Sequence, residues 1–233
     1  MQERIYTIPV NQAFENSADG CPFCYLFKKL EDNELDLILG ASMMEPDVRI
    51  VTNKKGFCKT HFVKMFHLKN RLGLGLMLES HLSELQDDLK PGGLFAKNIA
   101  AKPVERIEKL EHSCYVCDRI EEKISKMFST AVYLYNTELE FVEKFNAQKM
   151  FCLPHYKRLL ETAFRSSDKK QYANLVKDAD RIVSDYLAEL KDDVSWFCKK
   201  FDYRYDSEPW GNSKDSVERA IRFLSGPTDF ELK

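Results

Sequence analysis

The chain has 233 residues, 44% hydrophobic and 31% charged, with 35 basic and 37 acidic side chains and a formal net charge of −2. That composition supports a sizeable core, excludes global disorder, and removes any overall electrostatic footprint for nucleic acid or anionic lipid. Seven cysteines, an odd count, speak against a secreted disulfide scaffold.

From the N-terminus, Met1 to Thr7 shows no cationic segment followed by a long apolar one, so no signal peptide is expected. Asn11 is placed to cap a short helix through Phe14, and Asp19-Gly20 turns the chain into Cys21-Pro22-Phe23-Cys24. Leu26, Phe27, Leu30, Leu37 and Ile38 then recur at helical spacing with acidic residues between them. Gly40 interrupts that helix, and Pro46 suits the first turn of another that Gly56 ends. Phe57-Cys58-Lys59-Thr60-His61 follows, opening one long helix that carries Met65, Leu68, Leu72, Leu76, Leu82, Leu85 and Leu89 until Pro91-Gly92-Gly93. The apolar run from Leu72 to Leu78 is too short to span a bilayer. Together with the cysteine usage this places the chain in a reducing, cytoplasmic setting.

The same order of landmarks then recurs. Pro103 at a first helical turn leads Val104, Ile107 and Leu110 toward Cys114-Tyr115-Val116-Cys117. Val116, Ile120, Ile124, Met127 and Phe128 mark one helix; Leu134, Leu139, Phe141, Val142 and Phe145 mark the next. Phe151-Cys152-Leu153-Pro154-His155 opens a last long helix through Leu159, Leu175, Ile182, Leu187 and Leu190, with about eleven extra residues near Ser166 to Val176, where polar residues cluster. His81 to Leu89 is echoed by Tyr186 to Val194. No segment alternates as a strand, so the expected fold is all-α: two tandem zinc-clasped helical repeats, residues 1–92 and 93–198, and a tail, 199–233, carrying a docking helix. That helix is expected to be capped by Asn212 or Ser213, to present Val217, Ala220, Ile221 and Leu224, and to end at Gly226-Pro227.

Each repeat offers three thiols and one imidazole: Cys21, Cys24, Cys58 and His61 in the first, Cys114, Cys117, Cys152 and His155 in the second. Two short-spaced pairs of such donors are what tetrahedral zinc takes, which implies two zinc ions per chain. Cys-x-x-Cys at a helix start gains from the helix dipole, which favours thiolate, and in Cys-x-x-His both ligands share one helix face. The simplest assignment clasps each repeat with its own quartet, although spacing alone leaves completion across repeats or chains open. Four protein donors close the coordination shell, so the metals are read as structural and the role as interaction with a protein or small-molecule partner. No membrane is implicated, and homo-oligomer contacts remain open.

Two other readings stand beside it. Cys21-Pro22-Phe23-Cys24 is similar to the active-site tetrapeptide of glutaredoxins, which points to a thiol-based redox sensor or oxidoreductase, but that motif follows a strand and none is expected here. A nucleic-acid-binding zinc module is disfavoured by the balanced charge, and a three-cysteine, one-histidine iron–sulfur cluster is the rarer metal alternative. No nucleophile with its base can be assembled from the spacing, so no catalytic residue is assigned. His67, His81 and His112 lie outside the repeated pattern, with His112 the one substitute ligand to examine. Cys198 is read as a buried small apolar residue, Gly73 and Gly75 as close-packing positions, and Glu138, Glu140 and Glu143 as a solvated helix face. Asp202, Arg204, Glu208, Trp210, Lys214, Asp215 and Arg219 form a dense polar and aromatic stretch, read first as a salt-bridged docking segment and second as a ligand site.

Ile5 to Val10, Cys21 to Cys24, Phe57 to His61 and Trp210 to Asp215 together resemble a bacterial family, a domain of unknown function. The resemblance spans nearly the whole chain and implies no activity.

Overall fold

The computed structural model describes residues 4–16, 20–91 and 98–227. Among them lie eleven α-helices and no strand, so the all-α expectation holds. They are α1 (Thr7–Asn16), α2 (Pro22–Leu39), α3 (Pro46–Lys55), α4 (Lys59–His67), α5 (Arg71–Asp88), α6 (Ala101–Glu111), α7 (Tyr115–Thr137), α8 (Leu139–Asn146), α9 (Leu153–Ser166), α10 (Lys169–Lys199) and α11 (Ser216–Ser225).

The chain forms two compact units, Met1–Lys28 with Ile124–Lys233, and Lys29–Lys123. Their division falls inside α2 and α7, so each unit draws on both halves of the sequence.

The core of the first unit is aromatic. Phe23, at the start of α2, stacks on Phe128 of α7 with centroids 3.9 Å apart and planes 9° apart. Phe14 of α1 packs against Phe23, Phe141, Phe145 and Phe151. All six rings are essentially excluded from water, and each such ring buries on the order of 150–250 Å². The Gln148 side-chain amide donates to the Phe14 carbonyl at 2.7 Å, which fixes α1 to the turn before Phe151. α9 and α10 are separate helices because Asp168 builds a capping box with Gln171 at the site of the extra residues.

The tail docks on α9 and α10. Lys200, 6% exposed, donates to the carbonyls of Tyr205, Asp206 and Glu208 at 2.6, 3.0 and 2.7 Å. Arg219 pairs with Asp193 at 2.7 Å and Asp215 at 3.0 Å, and Asp202 pairs with Arg204, so the polar and aromatic stretch is a salt-bridged docking segment. Two details differ from expectation. Asp215 occupies the cap position of α11, and the hydroxyl of Ser213 donates instead to the Trp210 carbonyl. Cys198 is exposed, because the buried side of the α10 end is taken by Lys200.

In the second unit α3 packs on α5 and α6, and α4 on α5. The long helix expected from Lys59 breaks at Leu68 to Asn70. Asn70 caps α5 by accepting from the Gly73 amide at 2.8 Å, while its own amide donates to the Leu39 carbonyl at 2.6 Å. A Cβ on Gly73 would lie 2.7 Å from Met43 Sδ, so that glycine permits close packing; one on Gly75 would meet nothing within 4 Å. In the first unit, Asn11 lies inside α1 rather than at its start, donating to the Thr7 carbonyl. Gly92 and Gly93, read as a hinge, and Asp19 of the expected turn lie outside the described residues.

Candidate metal centres

Four helix starts carry the eight donors. Cys21 and Cys114 immediately precede α2 and α7, with Cys24 and Cys117 in their first turns, while Cys58 and Cys152 are the residues capping α4 and α9. Their assembly corrects the expected pairing. Cys21 and Cys24 meet Cys152 and His155, whereas Cys58 and His61 meet Cys114 and Cys117. Each Cys-x-x-Cys is therefore completed by the Cys-x-x-His of the other repeat, and neither repeat is clasped by its own quartet. Both clusters lie wholly within one unit, the first in the aromatic unit and the second in the other.

The donor geometry suits one tetrahedral ion. Bond lengths of about 2.3 Å to sulfur and 2.0 Å to nitrogen require edges of about 3.8 Å for S···S and 3.5 Å for S···N. In the first cluster Cys24 Sγ to Cys152 Sγ is 3.5 Å, and His155 Nδ1 lies 3.6, 3.4 and 3.1 Å from the sulfurs of Cys21, Cys24 and Cys152. In the second, Cys58 Sγ to Cys117 Sγ is 3.9 Å, and His61 Nδ1 lies 3.2, 3.2 and 3.4 Å from Cys58, Cys114 and Cys117. All donor atoms in each cluster fall within 4.8 Å of one another. The same ring nitrogen faces the sulfurs in both.

The surroundings of the two clusters differ. In the first, Cys21, Cys152 and His155 are buried, and the imidazole lies against Phe23 and Phe128 with centroids 6.0 and 5.7 Å away. Gly226, at φ +85°, closes α11 directly over it: a Cβ there would lie 3.8 Å from Cys152 Sγ and 3.5 Å from Pro154. In the second, His61 and Cys114 are buried, Cys58 is half-buried and Cys117 is exposed. Behind His61, Nε2 meets Glu31 Oε1 at 3.2 Å, and Lys64 donates to Glu31 Oε2 at 2.6 Å. A proton on Nε2 held by that carboxylate leaves the Nδ1 lone pair facing the sulfurs, as ligating histidines require. The periodicity of α2 sets acidic residues between its apolar positions and leaves their burial open. Glu31 and Glu34 are in fact buried, Glu34 pairing with Lys123. Their common side of α2 with Leu30 and Leu35 was the available signal.

Without metal the donors polarise one another. Burial raises the Cys114 thiol, but hydrogen bonds from His61 and from the backbone amides of Cys117 and Cys58 outweigh it and bring it down to about 6. Burial lowers the His61 imidazole, yet its bonds to Cys114 and Glu31 carry it up to about 10. Cys21 is also pulled well down: against burial stand hydrogen bonds from Cys152, Cys24 and His155. Hydrogen bonds with neighbouring thiols push Cys24 and Cys152 up, and partial burial followed by the charge on Cys114 pushes Cys117 up, since adjacent thiols cannot all ionise without a cation among them.

Neither His67, His81 nor His112 joins a cluster. His81 Nδ1 meets the Asn53 carbonyl at 2.8 Å, and His112 caps the C-terminus of α6. Glu138, Glu140 and Glu143 are exposed.

An all-α protein with two Cys3His clusters, each able to hold a metal ion, is what fold and geometry define. The chain belongs to the family of unknown function DUF6062, whose model matches residues 1–231. No curated protein and no solved structure matches it. No helix among the described residues is long and apolar enough to cross a membrane.

Proposed function

We propose that the chain is a zinc-stapled helical interaction protein of the reducing cytoplasm, binding one structural Zn²⁺ in each cluster. The observation that carries this reading is the closure of both clusters: four protein donors at tetrahedral spacing leave no coordination position for water or substrate. Zinc bound there supplies folding free energy by joining two helix starts. The short donor spacing also favours a single ion, since an iron–sulfur cluster would hold the cysteines further apart.

The interaction role rests on the helical surfaces rather than the sulfurs. In the second unit a shallow cleft of about 320 Å³ is walled by Val48, Val51 and Tyr115 and edged by Lys55, Asp118 and Arg119, with Ile50 exposed on the same helix, α3. Several basic side chains are already engaged: Lys64 with Glu31, Arg106 with Asp88, Lys123 with Glu34 and Arg219 with Asp193. That supports a protein or small-molecule partner over nucleic acid. Elemental analysis of purified protein is expected to give two zinc ions per chain, and chelation to unfold it. A metal-free preparation that folds normally would refute the reading.

A further inference from the structure

The two clusters share donors and spacing but not access to solvent, and this difference points to chemistry at only one of them. In the aromatic unit the sulfurs of Cys24 and Cys152 lie 3.5 Å apart, and Cys152 has no exposed surface. Gly226 lies against Cys152 and Pro154, and aromatic rings back the imidazole. In the other unit the sulfurs of Cys58 and Cys117 lie 3.9 Å apart and are the two that water reaches, Cys117 being exposed and Cys58 half-buried, whereas Cys114 is buried. Bound zinc would hold both as thiolates, the nucleophilic form. Their Cα positions belong to two different helix starts, α4 and α7, so joining them removes one ligand from each arm of the clasp.

We propose that the Cys58–His61–Cys114–Cys117 centre is a peroxide-responsive zinc switch, oxidised at Cys117 and Cys58, while the Cys21–Cys24–Cys152–His155 centre is a permanent staple. This rests on the zinc reading above. The Cys117 thiolate attacks one oxygen of hydrogen peroxide; the O–O bond breaks, a sulfenic acid forms, and the departing hydroxide leaves as water after taking a proton from solvent. The Cys58 thiolate then attacks the Cys117 sulfur, forming S–S as S–O breaks, and the second hydroxide also leaves as water. The two sulfurs lose two electrons and the peroxide gains them, so zinc remains divalent. Left with Cys114 and His61 alone, it dissociates.

The experiment uses the full chain carrying Cys198→Ser, which removes the exposed thiol outside both centres, loaded with zinc and titrated with hydrogen peroxide. Zinc release is read with a chromophoric chelator, and disulfides and alkylation are mapped by mass spectrometry under non-reducing conditions. The expected result is release of one of the two zinc ions, a Cys58–Cys117 disulfide, Cys21 and Cys152 still protected, and recovery with thiol reductant plus zinc. Loss of both ions together, a disulfide within the other cluster, or retention of both ions once Cys117 is oxidised would each overturn the switch while leaving structural zinc standing. Protein that binds no zinc before peroxide is added would overturn both.

Discussion

The crossed pairing of the clusters can be tested by counting metal. Replace Cys24 and Cys152 together with serine: both donors belong to one centre, which is left with one thiol and one imidazole, while the other centre is untouched. Zinc content should fall from two ions per chain to one. Replace Cys24 and Cys58 instead and each centre loses a donor, so content should fall toward zero. Stability alone discriminates less well. Cys24 and Cys152 are 128 residues apart, so a cross-link there restrains the unfolded chain by about 5 kcal/mol on loop-closure grounds. The within-repeat alternative, Cys24 to Cys58, would give only about 1 kcal/mol less, because the cost grows with the logarithm of loop length. The assay is therefore elemental analysis of gel-filtered variants, with melting temperatures alongside. Within one centre the two substitutions should be strongly non-additive; across centres they should add. One zinc retained by the Cys24/Cys58 variant and none by the Cys24/Cys152 variant would refute the crossed arrangement.

Glu31→Gln should weaken zinc at the His61 centre by about 10- to 100-fold in competition titrations and leave the His155 centre unchanged, since the carboxylate orients only His61. Burial raises the Glu31 carboxyl, but His61 and Lys64 outweigh it and hold it below its ordinary value. Its stabilising contribution is thus present above about pH 4.5 and lost as pH falls through the lowered folded value, so the variant should show a shallower acid limb in pH-dependent unfolding of the zinc-loaded chain. Lys200→Met should cost about 2–4 kcal/mol in denaturant unfolding, because three carbonyls lose a charged donor within the tail; a change under about 0.5 kcal/mol would show that water replaces it freely. Phe23→Ala should cost about 3–5 kcal/mol and speed metal loss from the neighbouring centre, measured as chelator-driven release; unchanged release would separate the aromatic core from the site.

Local chemistry is what the sequence determined about this protein. The Cys-x-x-Cys and Cys-x-x-His spacings, the glycines and prolines at helix ends and the 3.6-residue periodicity identify the helical class, the four helix starts and all eight donors, because each is settled within a few residues by backbone geometry. The partnering of those donors was decided only by the tertiary structure. A preference of about 1 kcal/mol between loop lengths is too small to select it. In the aromatic unit it follows from Phe23 stacking on Phe128 and packing with Phe151, which carries the first repeat's Cys-x-x-Cys to the second repeat's Cys-x-x-His. In the other unit it follows from the open end of α3. The Asn53 carbonyl accepts from Arg106 and His81, that of Lys54 from Arg106, that of Lys55 from Ser113, and that of Gly56 from the Tyr115 amide. The need to satisfy the last carbonyls of a helix thus brings Cys114 and Cys117 beside Cys58. Burial of Glu31 and exposure of Cys117 are likewise tertiary outcomes, and they are what make two chemically identical donor sets unequal.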